Sequence, residues 1–186
     1  MGKRSSFDRR PNDFYATPRQ ALRPLLPWLK EGTRYIEPCA GKGDLISHLK
    51  SAGHTCVGAF DIDPQHPSVV KADARQIESV DRTKVDCFIT NFPWSRPMLH
   101  PLIEHCSNLL PTWTLLDAGW WHTDQAEPFH CRTRMIVTVG RVKWIAGSKH
   151  NGKDDCCWYL FDFADPDALT ISIGKKYRGP IRAHGQ

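Results

Sequence analysis

The sequence predicts an α/β protein built on a mostly parallel, twisted sheet that closes with an antiparallel C-terminal hairpin. Three observations carry this. Short apolar runs alternate with helix-like stretches between residues 34 and 118, the pattern of strands joined by crossover helices. A glycine-rich turn, Ala40-Gly-Lys-Gly43, lies between the first run and the first such helix. In open α/β sheets a strand–glycine turn–helix unit sits where ligands bind. The alternation then stops, and Met135–Ile145 and Cys156–Phe163 are both β-rich around a Gly/Lys/Asn/Asp loop at 146–155.

In chain order, residues 1–12 lack apolar periodicity and are expected to form a flexible basic segment. A helix of type Gln20–Leu29 follows, with Thr17 able to cap it and Pro18 suited to its first turn. Asp13-Phe-Tyr-Ala-Thr-Pro18 carries two aromatics that a cap alone does not require. Arg34–Glu37 reads as the first strand and Asp44–Ala52 as the next helix, ended by Gly53. Thr55–Phe60 is a continuous apolar strand, as one covered on both faces should be. It closes on Asp61, where such sheets hold ribose hydroxyls. Val69–Ala72 is a short third strand ending at Asp73. Val85–Thr90 is a fourth strand, leading into Asn91-Phe-Pro-Trp94. Pro97–Leu110 is a helix with one apolar face. Thr112–Ala118 is the fifth strand, and Gly119-Trp-Trp-His-Thr123 returns its end to the ligand edge. Asp124–Arg132 reads as a weak helix or loop. A last apolar run, Leu169–Ile173, precedes a basic tail at 174–186, so residues 13–173 are expected to form a single domain.

At 186 residues the chain is long enough for a real core. Its 40% hydrophobic and 24% charged content is ordinary for a soluble globular protein. No apolar run approaches the roughly 20 residues of a membrane span, and the polar start predicts no secretion. The seven cysteines are odd in number and irregularly spaced, which suits reduced thiols in the cytoplasm. The net charge of +5 comes with basic residues at both ends, from Lys3 and Arg4 to Arg178 and Arg182. Such ends suit a polyanionic partner or merely aid solubility. No Cys-x-x-Cys pair exists, so His122, His130, Cys131, Cys156 and Cys157 do not make a zinc site, and no metal is expected. Cys156 and Cys157 are expected to lie one buried and one facing out. The glycine turn lacks the Gly-x-Gly-x-x-Gly spacing of nicotinamide-dinucleotide enzymes.

Taken in order, these segments resemble the S-adenosylmethionine-dependent amino-group methyltransferases, particularly small phage-type DNA N6-adenine methyltransferases. The likeness spans roughly residues 13–163. Asp13-Phe-Tyr-Ala-Thr-Pro18 looks like the N-terminal cofactor segment, and Glu37-Pro-Cys-Ala-Gly-Lys-Gly43 like the glycine motif. Asp61 and Asp73 look like the two acidic cofactor contacts, and Asn91-Phe-Pro-Trp94 like the Asn-Pro-Pro-aromatic catalytic motif. The resemblance implies a Rossmann-like methyltransferase fold, S-adenosylmethionine as cofactor and DNA as partner. It implies cofactor contacts from Tyr15, Thr17, Glu37, Cys39, Gly41, Gly43, Asp61 and Asp73, with backbone amides around Gly41 and Gly43 close to the amino-acid part.

In the chemistry so implied, the Asn91 side-chain oxygen and the Phe92 carbonyl accept hydrogen bonds from an adenine amine. Pro93 keeps Phe92 extended, and Trp94 stacks on an extruded base. The family carries proline where this chain has Phe92, which leaves a changed substrate or an inactive descendant as alternatives. Adenine in RNA, cytosine N4 and a glutamine amide present a similar planar amine. The large inserted target-recognition domain of sequence-specific relatives is missing. The loop at 119–133 with Trp120, Trp121 and His122, the 146–155 loop with Lys149 and Lys153, and the basic tails therefore remain to contact nucleic acid, with weak or short sequence specificity. For the two tryptophans, core packing is an equal alternative. A host-cell cytoplasmic location follows if the chain is phage-encoded.

Overall fold

The computed structural model describes residues 15–144 and 152–163. Asp13, Phe14, Lys149, the run Leu169–Ile173 and both basic ends lie outside the described residues. Seven strands form one sheet: β1 (Arg34–Glu37), β2 (Thr55–Asp61), β3 (Val70–Lys71), β4 (Cys87–Thr90), β5 (Thr112–Asp117), β6 (Thr133–Arg141) and β7 (Asp155–Phe161). Their order is β3-β2-β1-β4-β5-β7-β6. The first five pair in parallel, and β7 runs antiparallel between β5 and β6. The order reverses between β1 and β4, and a crevice opens where strands diverge in this way.

Both faces of the sheet are covered. One apolar cluster, with Ile36, Phe88, Leu102, Ile103, Tyr159 and Phe161, packs beneath α3 (Arg96–Leu109). The other, with Tyr35, Ile89, Leu115 and Trp158, packs beneath α1 (Arg19–Leu22) and α2 (Asp44–Ser51). Successive strand residues point to opposite faces, so each central strand serves both clusters. This corrects the expectation for Cys156 and Cys157, whose side chains enter opposite clusters and are both buried.

Two further expectations change. The N-terminal helix is one turn long, with Pro18 at its N-cap and no side-chain cap bond from Thr17; a 3-10 turn at Leu26–Trp28 follows. Pro24 and Pro27 remove the N–H groups that a longer helix needs. The short helix is instead fastened from across the fold, by the Trp158 indole donating to the Ala21 carbonyl at 2.8 Å. Strand β2 is not covered on both faces, and Val57 is 47% exposed. It lies near the sheet margin, paired on its outer side only through Phe60 and Asp61 with the two-residue β3.

Arg132 ties the far side of the fold together. Its Nη1 donates to Asn108 Oδ1 at 2.6 Å and Ser107 Oγ at 3.0 Å. Its guanidinium also lies 4.2 Å from the centre of the Phe163 ring. These contacts place a cation at the C-terminal end of α3, where the helix dipole favours it. Arg132→Met keeps the apolar stem and removes the guanidinium donors to Ser107 Oγ and to Oδ1 of the exposed Asn108. The expected loss, read by denaturant unfolding, is about 1 kcal/mol.

Candidate active site

A cleft opens over the carboxyl ends of β1, β2 and β4. Its lining comes from five stretches distant in sequence: Tyr15 and Thr17; Glu37, Cys39 and Gly41 at the end of β1 and in the glycine turn; Asp61; Asp73; and Asn91 with Pro93. The parallel register of β1 with β2 and β4 is what brings these strand ends to one edge.

The glycine turn is held by its own backbone. Ala40 N–H donates to the Phe60 carbonyl at 2.8 Å and Gly43 N–H to the Ala40 carbonyl at 2.7 Å. Gly41 N–H donates to Asp61 Oδ2 at 2.7 Å, and Asp61 Oδ1 accepts the Asp63 N–H at 2.8 Å. The amides of Gly41 and Gly43, expected to face a ligand, are thus committed to shaping the turn. Glycine is required there for conformation, since φ is +52° at Gly41 and +80° at Gly43. Gly43 caps α2 behind the cleft wall. Asp73 caps a 3-10 turn at Ala74–Gln76 and pairs with the Arg75 guanidinium. Hydrogen bonds from the Arg75 side chain, above all, hold its carboxyl below the usual range.

Glu37 differs from these paired acids. It is 2% exposed, and its Oε2 has no hydrogen-bond partner among the described residues. Burial pushes its carboxyl well above the usual range, and the nearby charges of Asp61 and Asp44 add to this. Cys39 is raised in the same way, by burial first and then by Asp61. A buried carboxyl with an orphaned oxygen at a cleft, among other acids, is a site for a cationic donor.

Asn91 sits just past the end of β4. Its Nδ2 donates to the Tyr15 carbonyl at 3.3 Å, and its Oδ1 accepts the Trp94 indole N–H at 3.3 Å. The same indole N–H also reaches the Leu115 carbonyl at 3.1 Å. Phe92 sends its ring into the core at 1% exposure, and its N–H points to Thr114 Oγ1 at 3.5 Å. The large ring at the position expected to hold proline therefore acts as an anchor for the turn. Beside Asn91, Trp144 meets Trp94 edge-on at 5.6 Å and Tyr15 at 6.3 Å.

The residues expected to contact nucleic acid divide. Trp120 and Trp121 are 6% and 7% exposed, so of the two alternatives weighed for them the structure shows core packing. Asp117 caps the 3-10 turn at Ala118–His122, which folds back and buries both indoles against the sheet. The Trp120 indole donates to His100 Nε2 at 3.3 Å, and Trp121 stacks on His130 at 4.0 Å. His122 and Lys153 are exposed. No group of His, Cys, Asp and Glu that could hold a metal ion occurs among the described residues. No helix among them is long and apolar enough to cross a membrane.

The cleft also uses residues not singled out from sequence, notably Ile62, Met98 and Leu102. Ile62 is 51% exposed beside Asp61, an apolar surface at the rim. An isoleucine inside an otherwise polar strand-end turn was a signal for it. Trp144 is brought to Trp94 and Tyr15 only by the tertiary fold, since β6, which precedes it, is separated from β4 by β5 and β7.

No family model matches the chain, and no curated protein matches it. Solved structures do. A Pyrococcus horikoshii protein provisionally described as an RNA methyltransferase superposes with a TM-score of 0.54 at 18% identity, over 81% of this chain and 87% of that one. A TehB-like S-adenosylmethionine-dependent methyltransferase from Corynebacterium glutamicum gives 0.46 at 17% identity, over 77% and 86%. The first likeness, with the strand order, shows a Rossmann-like methyltransferase fold.

Proposed function

We propose that the protein transfers a methyl group from S-adenosylmethionine to the exocyclic N6 amine of adenine in DNA, with low or short sequence specificity. One observation carries this reading. Asn91 and Pro93 open into the same cleft as the orphaned, buried carboxyl of Glu37. An amine-reading motif and a seat for a cation therefore share one cavity.

The residues present fit the cofactor. Glu37 would face its ammonium, Asp61 its ribose hydroxyls and Ile62 an apolar ring. Tyr15 and Thr17 would close the methionyl end. The bound cofactor supplies an electrophilic methyl group. Everything else falls to this chain. An exocyclic amine conjugated to its ring is a weak nucleophile. Acceptors for its two protons draw the nitrogen lone pair out of the ring. Asn91 Oδ1 has a second lone pair beside the one given to Trp94, and the Phe92 carbonyl would supply the other acceptor. The rings of Tyr15 and Trp144, which meet edge-on at 6.3 Å, offer ring surface for an extruded base. The amine gains one carbon and sheds one proton to water. Positioning and fixed dipoles supply the acceleration.

Adenine in RNA is the second reading, supported by the description of the Pyrococcus neighbour. The test is nucleoside mass spectrometry of unmethylated DNA and RNA incubated with the protein and isotope-labelled S-adenosylmethionine. The expected product is N6-methyladenine in DNA. Label confined to RNA or to N4-methylcytosine overturns the substrate and keeps the chemistry; no label in either polymer overturns the reading.

Polymer contact is expected from exposed cations flanking Trp144. Lys143 precedes it, and Lys153 follows Gly152, whose N–H donates to the Val142 carbonyl at 2.8 Å. The double variant Lys143→Glu/Lys153→Glu should raise KM for DNA and leave cofactor affinity unchanged. It should also flatten the logarithmic salt dependence of binding by about one per lost phosphate contact. An unchanged salt slope would place the polymer elsewhere.

A further inference from the structure

We infer that Trp94 serves this reaction through its indole N–H, as a positioning residue that fixes the Asn91 carboxamide, and not through its ring face. The inference rests on the reading of Asn91 as the acceptor of an amine proton. It begins from the bonding of a single side chain. An amide has one accepting and one donating end of nearly equal size, and turning it over exchanges them. Here both ends are specified by partners that cannot exchange roles. The Tyr15 carbonyl can only accept, and it takes Nδ2 at 3.3 Å. The Trp94 indole can only donate, and it takes Oδ1 at 3.3 Å.

The consequence is chemical. Asn91 lines the cleft, and in the observed orientation its Oδ1 keeps a lone pair beyond the one given to Trp94 for an incoming amine. Turned over, it would set an N–H against another N–H and remove the acceptor that the reaction needs. Nothing in a carboxamide alone prevents this, so the selection must come from its neighbours.

The donor is itself held firmly. Its N–H is shared with the carbonyl of Leu115, a residue with no exposure in the central strand β5. Its ring packs against both apolar clusters and meets the Trp144 edge at an interplanar angle of 86°. Trp144 is seated in turn on Gly152. A Cβ at that position would lie 3.1 Å from Trp144 Cδ1, 3.2 Å from its Nε1 and 3.0 Å from the Val142 carbonyl. The base of the β6–β7 hairpin thus sets where Trp94 stands, and Trp94 sets which atom Asn91 offers.

The distinguishing experiment replaces the N–H while keeping an aromatic ring. Trp94→Phe is the simple variant. Incorporation of benzothienylalanine at position 94 is the shape-conserving one, because it keeps the bicycle and puts sulfur where the N–H was. Two readouts are needed: steady-state methyl transfer to DNA, and the side-chain amide resonances of Asn91 in the cofactor-bound protein. The expected result for both variants is a fall in kcat of about tenfold or more with KM within about twofold. The resolved Asn91 amide pair should also broaden or shift. Wild-type kcat in the benzothienylalanine protein would overturn the inference, as would a loss confined to KM, which is the signature of base stacking. If the wild type methylates neither DNA nor RNA, the functional reading fails by itself. The amide spectrum then decides the inference: a disturbed Asn91 pair supports it and an unchanged pair overturns it.

Discussion

Asn91→Ala is expected to lower kcat for methyl transfer by about 10²–10³-fold, the scale seen when one preorganised polar contact to a reacting group is removed. The variant should still fold, because Asn91 is only partly buried and stands outside both apolar clusters. Cofactor affinity should fall by no more than about tenfold. The Asn91 amide tethers the cofactor-side Tyr15 carbonyl, and losing one neutral hydrogen bond costs about 1 kcal/mol. The measurement is a parallel pair of assays, labelled methyl incorporation into DNA and calorimetric cofactor binding. A variant that loses both together would make Asn91 a structural post. A variant that keeps transfer within tenfold would remove it from the chemistry.

Glu37→Gln is expected to move stability and binding in opposite directions. Burial, with the charges of Asp61 and Asp44 adding to it, makes the Glu37 carboxyl hold its proton to a pH above the ordinary 4.5. In that situation the folded state binds more protons than the unfolded chain. Stability of the cofactor-free protein therefore falls as pH rises from about 4.5 toward the raised folded value, and then levels. Glutamine removes this slope. The variant should match the wild type near pH 4 and exceed it in melting temperature at neutral pH and above. Cofactor affinity should drop at the same time by about 10–100-fold, the worth of a charge-assisted hydrogen bond to an ammonium. Binding to the wild type should also expel a proton where Glu37 is protonated. Calorimetry in buffers of different ionisation enthalpy would detect it. A variant with unchanged neutral-pH stability would show that Glu37 is satisfied in solution.

The chain's own order of residues determined the fold class, the β1 boundaries and the place of the cleft. Arg34–Glu37, the glycine turn, Asp61 and Asn91 are local signals: each joins a strand end to a residue type that acts within a few positions of it. They line one cleft because parallel strands must present their ends at one edge. The sequence also placed the turn to α2 at glycines whose positive φ the structure requires. Other features were settled by long-range packing alone. Alternation along β7 cannot reveal that its second face is covered, so Cys156 and Cys157 are both buried. Trp120 and Trp121 occupy a turn that by spacing could point outward, and the apolar face of Phe129, Tyr159 and Phe161 draws both inward. Pro24 and Pro27 were legible and were outweighed by apolar spacing in the expectation of a longer helix. The direction of the Trp94 N–H has no counterpart in linear sequence. It depends on Leu115 and on Trp144, itself seated on Gly152, which come together only once the sheet is assembled, because hydrogen-bond direction is decided by where partners stand in space.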